Sequence, residues 1–507
     1  MPKLIILLLS LVTLGSCESE IEDEPNNPET GPETKLDTVY INSQANFDTY
    51  KESKFPAGAR IFFATGKVFD GQFAPTGSGT AEKPIKLTAY NPGSGEIYWK
   101  SIENKPIING HGQVNSTFYL YNGGYWEINN LEITNTDGSE SDQGNLIGIY
   151  VVAENSGTVE DVTIRNCYVH DVNGKVEGKQ RGGIHVHVIG TGFRTKFNNL
   201  LIENNYVKNI GGVGIGNKSS WGSINSDDYY PWTNYVIRGN RIERTGRNGI
   251  IVRSSTNPIA EYNVLAHTSL YSVGHSIFNF NTKGCVMQYN EAYGNTGAID
   301  DTDRGGFDAD YNSEETIIQY NYSHDNHWFC GIMRKYNKGI KIRYNISVNE
   351  RLGAYMYGFP TDKGAENILI YNNTHYFGAG VNASPVASPA RERIPINTTF
   401  CNNIFYFEDS CSWAVAPDHT CELSSNLFYN ILPKGENSLT TDPMFENPGA
   451  LGTDVDMQDP LRLSGYQLKD KSPCLNAGIS IDDNGGKDFW GNPLGTEAID
   501  IGAYEKQ

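Results

Sequence analysis

Ile317-Ile318-Gln319-Tyr320-Asn321 decides the fold, because its last four residues are one copy of a phrase that recurs along the chain: an apolar residue, two mostly polar residues, then Asn. Other copies are Ile202-Glu203-Asn204-Asn205, Ile237-Arg238-Gly239-Asn240, Ala260-Glu261-Tyr262-Asn263, Met287-Gln288-Tyr289-Asn290, Ile342-Arg343-Tyr344-Asn345, Ile370-Tyr371-Asn372-Asn373 and Phe400-Cys401-Asn402-Asn403. Ile164-Arg165-Asn166-Cys167 is an earlier copy with Cys in the Asn position. Intervals of roughly 23 to 38 residues separate them, the range of solenoid repeats. Between copies, short alternating strands are punctuated by Gly or Asn, and no stretch is long enough for the crossover helix of an α/β unit. Parallel strands wound into stacked coils satisfy that pattern. Asn suits a corner rung because it tolerates left-handed backbone and its amide can bond to the Asn above and below.

Working outward from the repeat, 507 residues with 38% apolar content can bury a core, and 54 Gly and 30 Tyr favour turns and strands over helix. The expected class is therefore all-β, a parallel β-helix with capped ends over residues 39–450 and a segment at 451–507 that closes the far end. Lys3, the apolar run at 4–14 and Gly15-Ser16-Cys17 read as a signal peptide over residues 1–17, too short to span a bilayer in the folded product. The acidic, Pro-rich residues 18–38 read as a disordered tether. Seven further cysteines cannot all pair; a disulfide among Cys401, Cys411 and Cys421 is left open. A net charge of −19 argues against nucleic acid and against long-range capture of a polyanion. A single chain suffices for this architecture.

Several stretches resemble known families. Leu14-Gly15-Ser16-Cys17 resembles a bacterial lipoprotein signal, which implies acylation of Cys17, and Glu18-Ser19-Glu20-Ile21-Glu22-Asp23-Glu24 is similar to the export tag of surface lipoproteins in Bacteroidetes-type bacteria. An anchored protein of the outer membrane or cell surface is thereby implied. Gly306-Phe307-Asp308-Ala309-Asp310, running into Ile317 to Asn326, resembles the right-handed, pectin-lyase-like β-helix proteins of polysaccharide-degrading bacteria. The tail, with Asp488-Phe489-Trp490-Gly491-Asn492-Pro493 and Asp500-Ile501-Gly502-Ala503-Tyr504-Glu505, resembles the ending of many of them. The resemblance covers most of residues 39–507 and implies a carbohydrate substrate. It implies no particular reaction, since such folds host lyases and hydrolases alike, and no complete lyase or polygalacturonase motif set is present.

One strand can be aligned across coils by a leading Gly or small residue: Gly183-Ile184-His185-Val186-His187, Gly214-Ile215-Gly216-Asn217-Lys218, Gly249-Ile250-Ile251-Val252-Arg253, Ser276-Ile277-Phe278-Asn279-Phe280, Gly306 to Asp310, Gly331-Ile332-Met333-Arg334-Lys335 and Gly353-Ala354-Tyr355-Met356-Tyr357. Alternation then turns two columns outward. One reads His185, Ile251, Phe278, Asp308, Met333, Tyr355; the other reads His187, Lys218, Arg253, Phe280, Asp310, Lys335, Tyr357. Acids, bases and sugar-stacking aromatics thus share one face. Arg334 falls in the inward column, where an Arg needs a partner.

Two chemistries fit that face. In elimination, by a polysaccharide lyase or oligosaccharide dehydratase, Lys335 is the base and Arg334 clamps a uronate carboxylate, with His187 or Tyr357 as other bases and Arg253 as another clamp. The Arg334-Lys335 pair favours an anionic substrate, uronic-acid or sulfated. The alternative is a glycoside hydrolase in which Asp308 pairs with Asp310 or Asp301, about 6.5–7 Å apart for neighbours on one face of a strand. A third reading is a non-catalytic glycan-binding lipoprotein. Asp300, Asp301 and Asp303 could hold Ca²⁺, though without a recognisable loop motif. His324 and His327 read as structural, and His185 with His187 as a face pair that lacks the rest of a metal set.

Overall fold

A computed structural model describes residues 36–138, 146–174, 176, 178–297, 303–333, 335–358, 365–387, 394–449, 452–495 and 498–507. Cys17, Asp300, Asp301 and Arg334 lie outside the described residues. The described chain winds as a right-handed parallel β-helix whose strands form sheets of sixteen, ten and thirteen members. Every strand pairing is parallel except that of the short strand Ile97–Tyr98. Among the described residues helix is confined to Gln44–Tyr50, capped by Ser43, and a 3₁₀ turn at Pro460–Tyr466. Phe47 of the first helix meets the rings of Phe69 and Phe73 at 5.6 and 5.7 Å and closes the start of the core.

The recurring Asn is the corner rung of this helix. Asn205, Asn240, Asn263, Asn290, Asn321, Asn345, Asn373 and Asn403 each donate a side-chain hydrogen bond to the next in line, at 2.9–3.0 Å, and the series runs one coil further to Asn426. Each is buried, and its other amide hydrogen meets a backbone carbonyl, as Asn321 does with Met287 at 2.9 Å. At the head of the series Cys167 has no amide to offer; only its backbone N–H reaches Asn205, at 3.0 Å. The left-handed backbone sits one residue earlier than expected. Tyr262, Tyr289, Tyr320 and Tyr344 have φ of 48–55°, and the Asn that follows each does not. The Asn is selected for its amide and the Tyr for its ring: Tyr262, Tyr289 and Tyr320 stack at 4.9 and 5.1 Å along the outside of the corner.

All seven cysteines in the described region are free thiols, Cys401, Cys411 and Cys421 included. The segment after residue 451, expected to close the far end, makes its contacts along the flank of the helix. Val455 N–H donates to Glu291 at 2.8 Å, Asp483 pairs with Lys341, and the carbonyl of Asp500 accepts from Asn372 at 2.8 Å. Its apolar residues, among them Phe489 and Ile501, bury against the stacked tyrosines.

Candidate functional site

The ten-stranded sheet carries the face singled out in the sequence. Its register aligns Ile184, Ile215, Ile250, Ile277 and Phe307 inward, so that His185, Gly216, Ile251, Phe278 and Asp308 form one outer column. The second column is His187, Lys218, Arg253, Phe280 and, continuing the Asn279–Ala309 pair, Asp310. To this point the alignment by leading small residues holds.

Beyond it, the alignment fails. Phe307 pairs with Cys330 and Asp308 with Gly331, so the strand Trp328–Met333 begins earlier than a leading Gly331 requires. Cys330 pairs in turn with Tyr355 and Ile332 with Tyr357, which turns both tyrosines inward. The shift at Trp328–Met333 is two residues, which keeps its faces, whereas Gly353–Gly358 ends displaced by one, and a one-residue slip exchanges the faces of a strand. Tyr355 and Tyr357 are fully buried; the Tyr355 hydroxyl meets His375 at 2.9 Å and Tyr357 meets Thr398 at 3.1 Å. Tyr357 is a core residue, and Tyr355 cannot stack on a sugar. Lys335 lies past the end of its strand, its ammonium 5.3 Å from the centre of the Tyr311 ring.

Gly331 is glycine for a different reason. A Cβ there would lie 2.7 Å from His275 Nε2 and 3.0 Å from Asp308 Oδ1, so the missing side chain keeps clear the space into which both point. Those two atoms are buried and have no hydrogen-bond partner among the described residues. His275 Nδ1 lies 3.3 Å from Asp303 and 3.5 Å from Asp308, bridging the two carboxylates. Asp310 accepts from the backbone N–H of Tyr311 at 2.8 Å. His275 is not legible in the sequence: it precedes its strand and joins the acids only through the winding of the helix.

The acids differ in charge state. Burial drives the Asp308 carboxyl well above the ordinary carboxylate range, against the pull of His275. Burial also raises Asp310, to about 6, although Lys179 opposes it. Burial works against ionisation of Asp303 too, but the hydrogen bond and charge of His275 outweigh it and hold Asp303 below its ordinary value. His275 is raised despite its burial, chiefly by Asp308 and then Asp303. Asp308 and Asp310 are thus held above the ordinary carboxylate range while Asp303 lies below it, so the acids of the cluster differ in their readiness to keep a proton.

Other residues singled out in the sequence lie further along the groove. His187 is four coils from Asp310, about 19 Å at ~4.8 Å per coil; it is buried, takes the Tyr150 hydroxyl on Nδ1 at 3.0 Å, and burial holds it well below the ordinary imidazole range. It is not part of the acid cluster. Arg253 is two coils away, and burial lowers it to about 10. Of the three aspartates read as Ca²⁺ ligands, Asp303 is taken up by His275, and no group of three or more His, Cys, Asp or Glu among the described residues is arranged to hold a metal. His324 is structural in the sense expected, buried between Glu291 at 3.2 Å and Asp325 at 2.8 Å.

Two crystal structures of a GH136 lacto-N-biosidase from Eubacterium ramulus superpose with TM-scores of 0.58 and 0.55, at 20% and 19% identity, over 80% of this chain and 68% of that one. The fold is shared with them. No protein-family model matches the sequence. A lacto-N-biosidase of Bifidobacterium longum subsp. longum is 28% identical over 439 residues, covering 69% of this chain and 26% of that protein. The chain thus spans about a quarter of the length of the curated relative it matches.

Proposed function

We propose that the protein is a glycoside hydrolase that cleaves a glycan in the groove outside the ten-stranded sheet. The observation that carries this reading is the acid pair itself: two buried carboxyls on one strand face, both raised by burial, Asp308 well above the ordinary carboxylate range and Asp310 to about 6. Asp308 donates its proton to the glycosidic oxygen as the C–O bond breaks. Asp310 either attacks the anomeric carbon or takes a proton from the water that does, and the elements of water end on the two products. Asp303 and His275 act through Asp308, fixing its position and the local charge. Tyr119 and Tyr150, 5.7 Å apart in the outer column of earlier coils, extend the groove with rings on which further sugars can stack.

Similarity to a lacto-N-biosidase supports a glycan substrate and hydrolysis. Elimination has less support, since Tyr357 is in the core and Lys335 stands over Tyr311 beyond its strand. Incubation with a panel of glycans in ¹⁸O-water tests the reading by mass spectrometry. Products that gain one labelled water are expected; an unsaturated product formed without water would overturn it. The anomer released first, read by NMR, distinguishes attack by Asp310 from attack by water.

Acylation of Cys17 and display on the outer membrane complete the proposal, on the strength of Leu14-Gly15-Ser16-Cys17 and the acidic residues after it. A Cys17→Ala protein should lose incorporation of labelled palmitate and leave the membrane fraction. Unchanged fractionation would refute the anchor.

A further inference from the structure

Away from the acids the outer face changes sign. Lys218 and Arg253, neighbours in the second column, line a cleft of about 380 Å³ with Gln180, Phe280, Asn281 and Ser254, and no carboxylate among the described residues borders it. Lys218 Nζ donates to the Gln180 side chain at 2.9 Å, and the Arg253 guanidinium to the carbonyls of Lys179 and Asn217 at 3.2 and 3.1 Å. Neither forms an ion pair among the described residues. Lys179 adds a third cation, its ammonium 4.5 Å from the centre of the Phe278 ring.

All three cations are half-buried, and gathering like charges without a counter-charge is unfavourable, so such a cluster is retained where an anion completes it. Asp310 attracts Lys179 and Arg253, and burial lowers the affinity of both for their protons. It cannot account for Lys218, three coils away at about 14 Å. The chain as a whole carries −19, which repels anions at a distance; the cleft can recognise one only by contact.

We infer that this cleft is a subsite for an anionic sugar, binding a carboxylate or sulfate group two to three coils along the groove from the bond cleaved at Asp308 and Asp310. The inference rests on the hydrolase reading for the position of that bond, but not for the binding itself. Lys218 and Arg253 supply the charge-assisted contacts, while Phe280, Asn281 and Ser254 receive the ring and its hydroxyls.

Calorimetry on the full chain carrying Asp308→Asn tests the subsite without turnover, using cellobiose, cellobiouronic acid and cellobiose 6′-sulfate, which share a skeleton and differ in charge. The acidic sugars should bind at least about tenfold more tightly than cellobiose. Lys218→Ala should weaken them about 10- to 100-fold, Lys218→Arg should restore most of the loss, and raised salt should weaken them in wild type. Lys283→Ala, which removes an equal charge from an exposed pair with Glu314, should leave them unchanged. The ratio of sulfate to uronate affinity tells which group the cleft was shaped for. Equal affinity for all three sugars, no binding of the acidic two, or an equal loss with Lys283→Ala would overturn the subsite. Because no bond is cleaved, that failure is separate from absence of hydrolysis in the ¹⁸O experiment.

Discussion

Two sets of buried polar side chains, one along a corner of this helix and one on the outer face of the ten-stranded sheet, are finished differently. Along the corner, Asn205 to Asn426 are satisfied on both sides, each amide spent on its neighbour and on a backbone carbonyl. Along the outer face of the ten-stranded sheet, Asp308 Oδ1 and His275 Nε2 are also buried and have no hydrogen-bond partner among the described residues. A satisfied buried network fixes one structure and stabilises it, whereas an unsatisfied one costs stability and is kept where a ligand completes it. Identical coil geometry thus yields a spine on one side and a reactive groove on the other.

The largest effect should come from breaking the groove. Asp308→Asn keeps the shape but removes the proton, and should lower kcat by about 10²- to 10⁴-fold, with the circular dichroism spectrum unchanged. A loss below threefold would exclude Asp308 as the acid. The partner variant sharpens the contrast, because Asp310→Asn should be inactive yet more stable. Burial raises Asp310 to about 6, whereas an unfolded Asp titrates near ~3.9. Between those values the folded state holds a proton that the unfolded state has lost, so stability falls as pH rises through the window and stays lower above it. Removing the titration should return about 3 kcal/mol at pH 7, and little below pH 4, in urea unfolding. Equal stability of the two proteins at pH 7 would contradict this.

Gly331→Ala places a methyl against His275 and Asp308 and should cost up to about 100-fold in kcat/KM, since reacting groups displaced by an ångström lose that much. Activity at the wild-type level would show that the space beside Gly331 is not where the bond is cleaved. In the spine, Asn321→Ala leaves Asn290 and Asn345 each short of a partner and should destabilise by about 1–3 kcal/mol. Its pH–rate profile should match wild type; a shifted profile would mean that the two sets are coupled.

How far each set could be read from sequence follows from the same contrast. The spine was legible because the coils repeat it: eight copies of one phrase leave little choice but a stack, even though the left-handed residue proved to be the one before the rung Asn, a Tyr in four copies, an Asn in three and Gly239 in one. The outer face was legible where a small residue leads its strand, as at Gly306, and Asp308 and Asp310 were found that way. It was lost at Gly331, where the glycine serves the space over His275 and not the start of a strand, a shift of two that keeps the faces, and again at Gly353, where a net shift of one carried Tyr355 and Tyr357 to the inner side. His275 could not be read at all, since nothing local ties it to acids 28 and 33 residues later.

Titration of the side-chain carboxyls, followed by ¹³C NMR on protein labelled at Asp, addresses the split acid pair without any substrate. One resonance, absent from Asp310→Asn, should titrate near pH 6, and another, absent from Asp308→Asn, should remain protonated above it. Ordinary titration of both carboxyls near pH 4 would contradict the account.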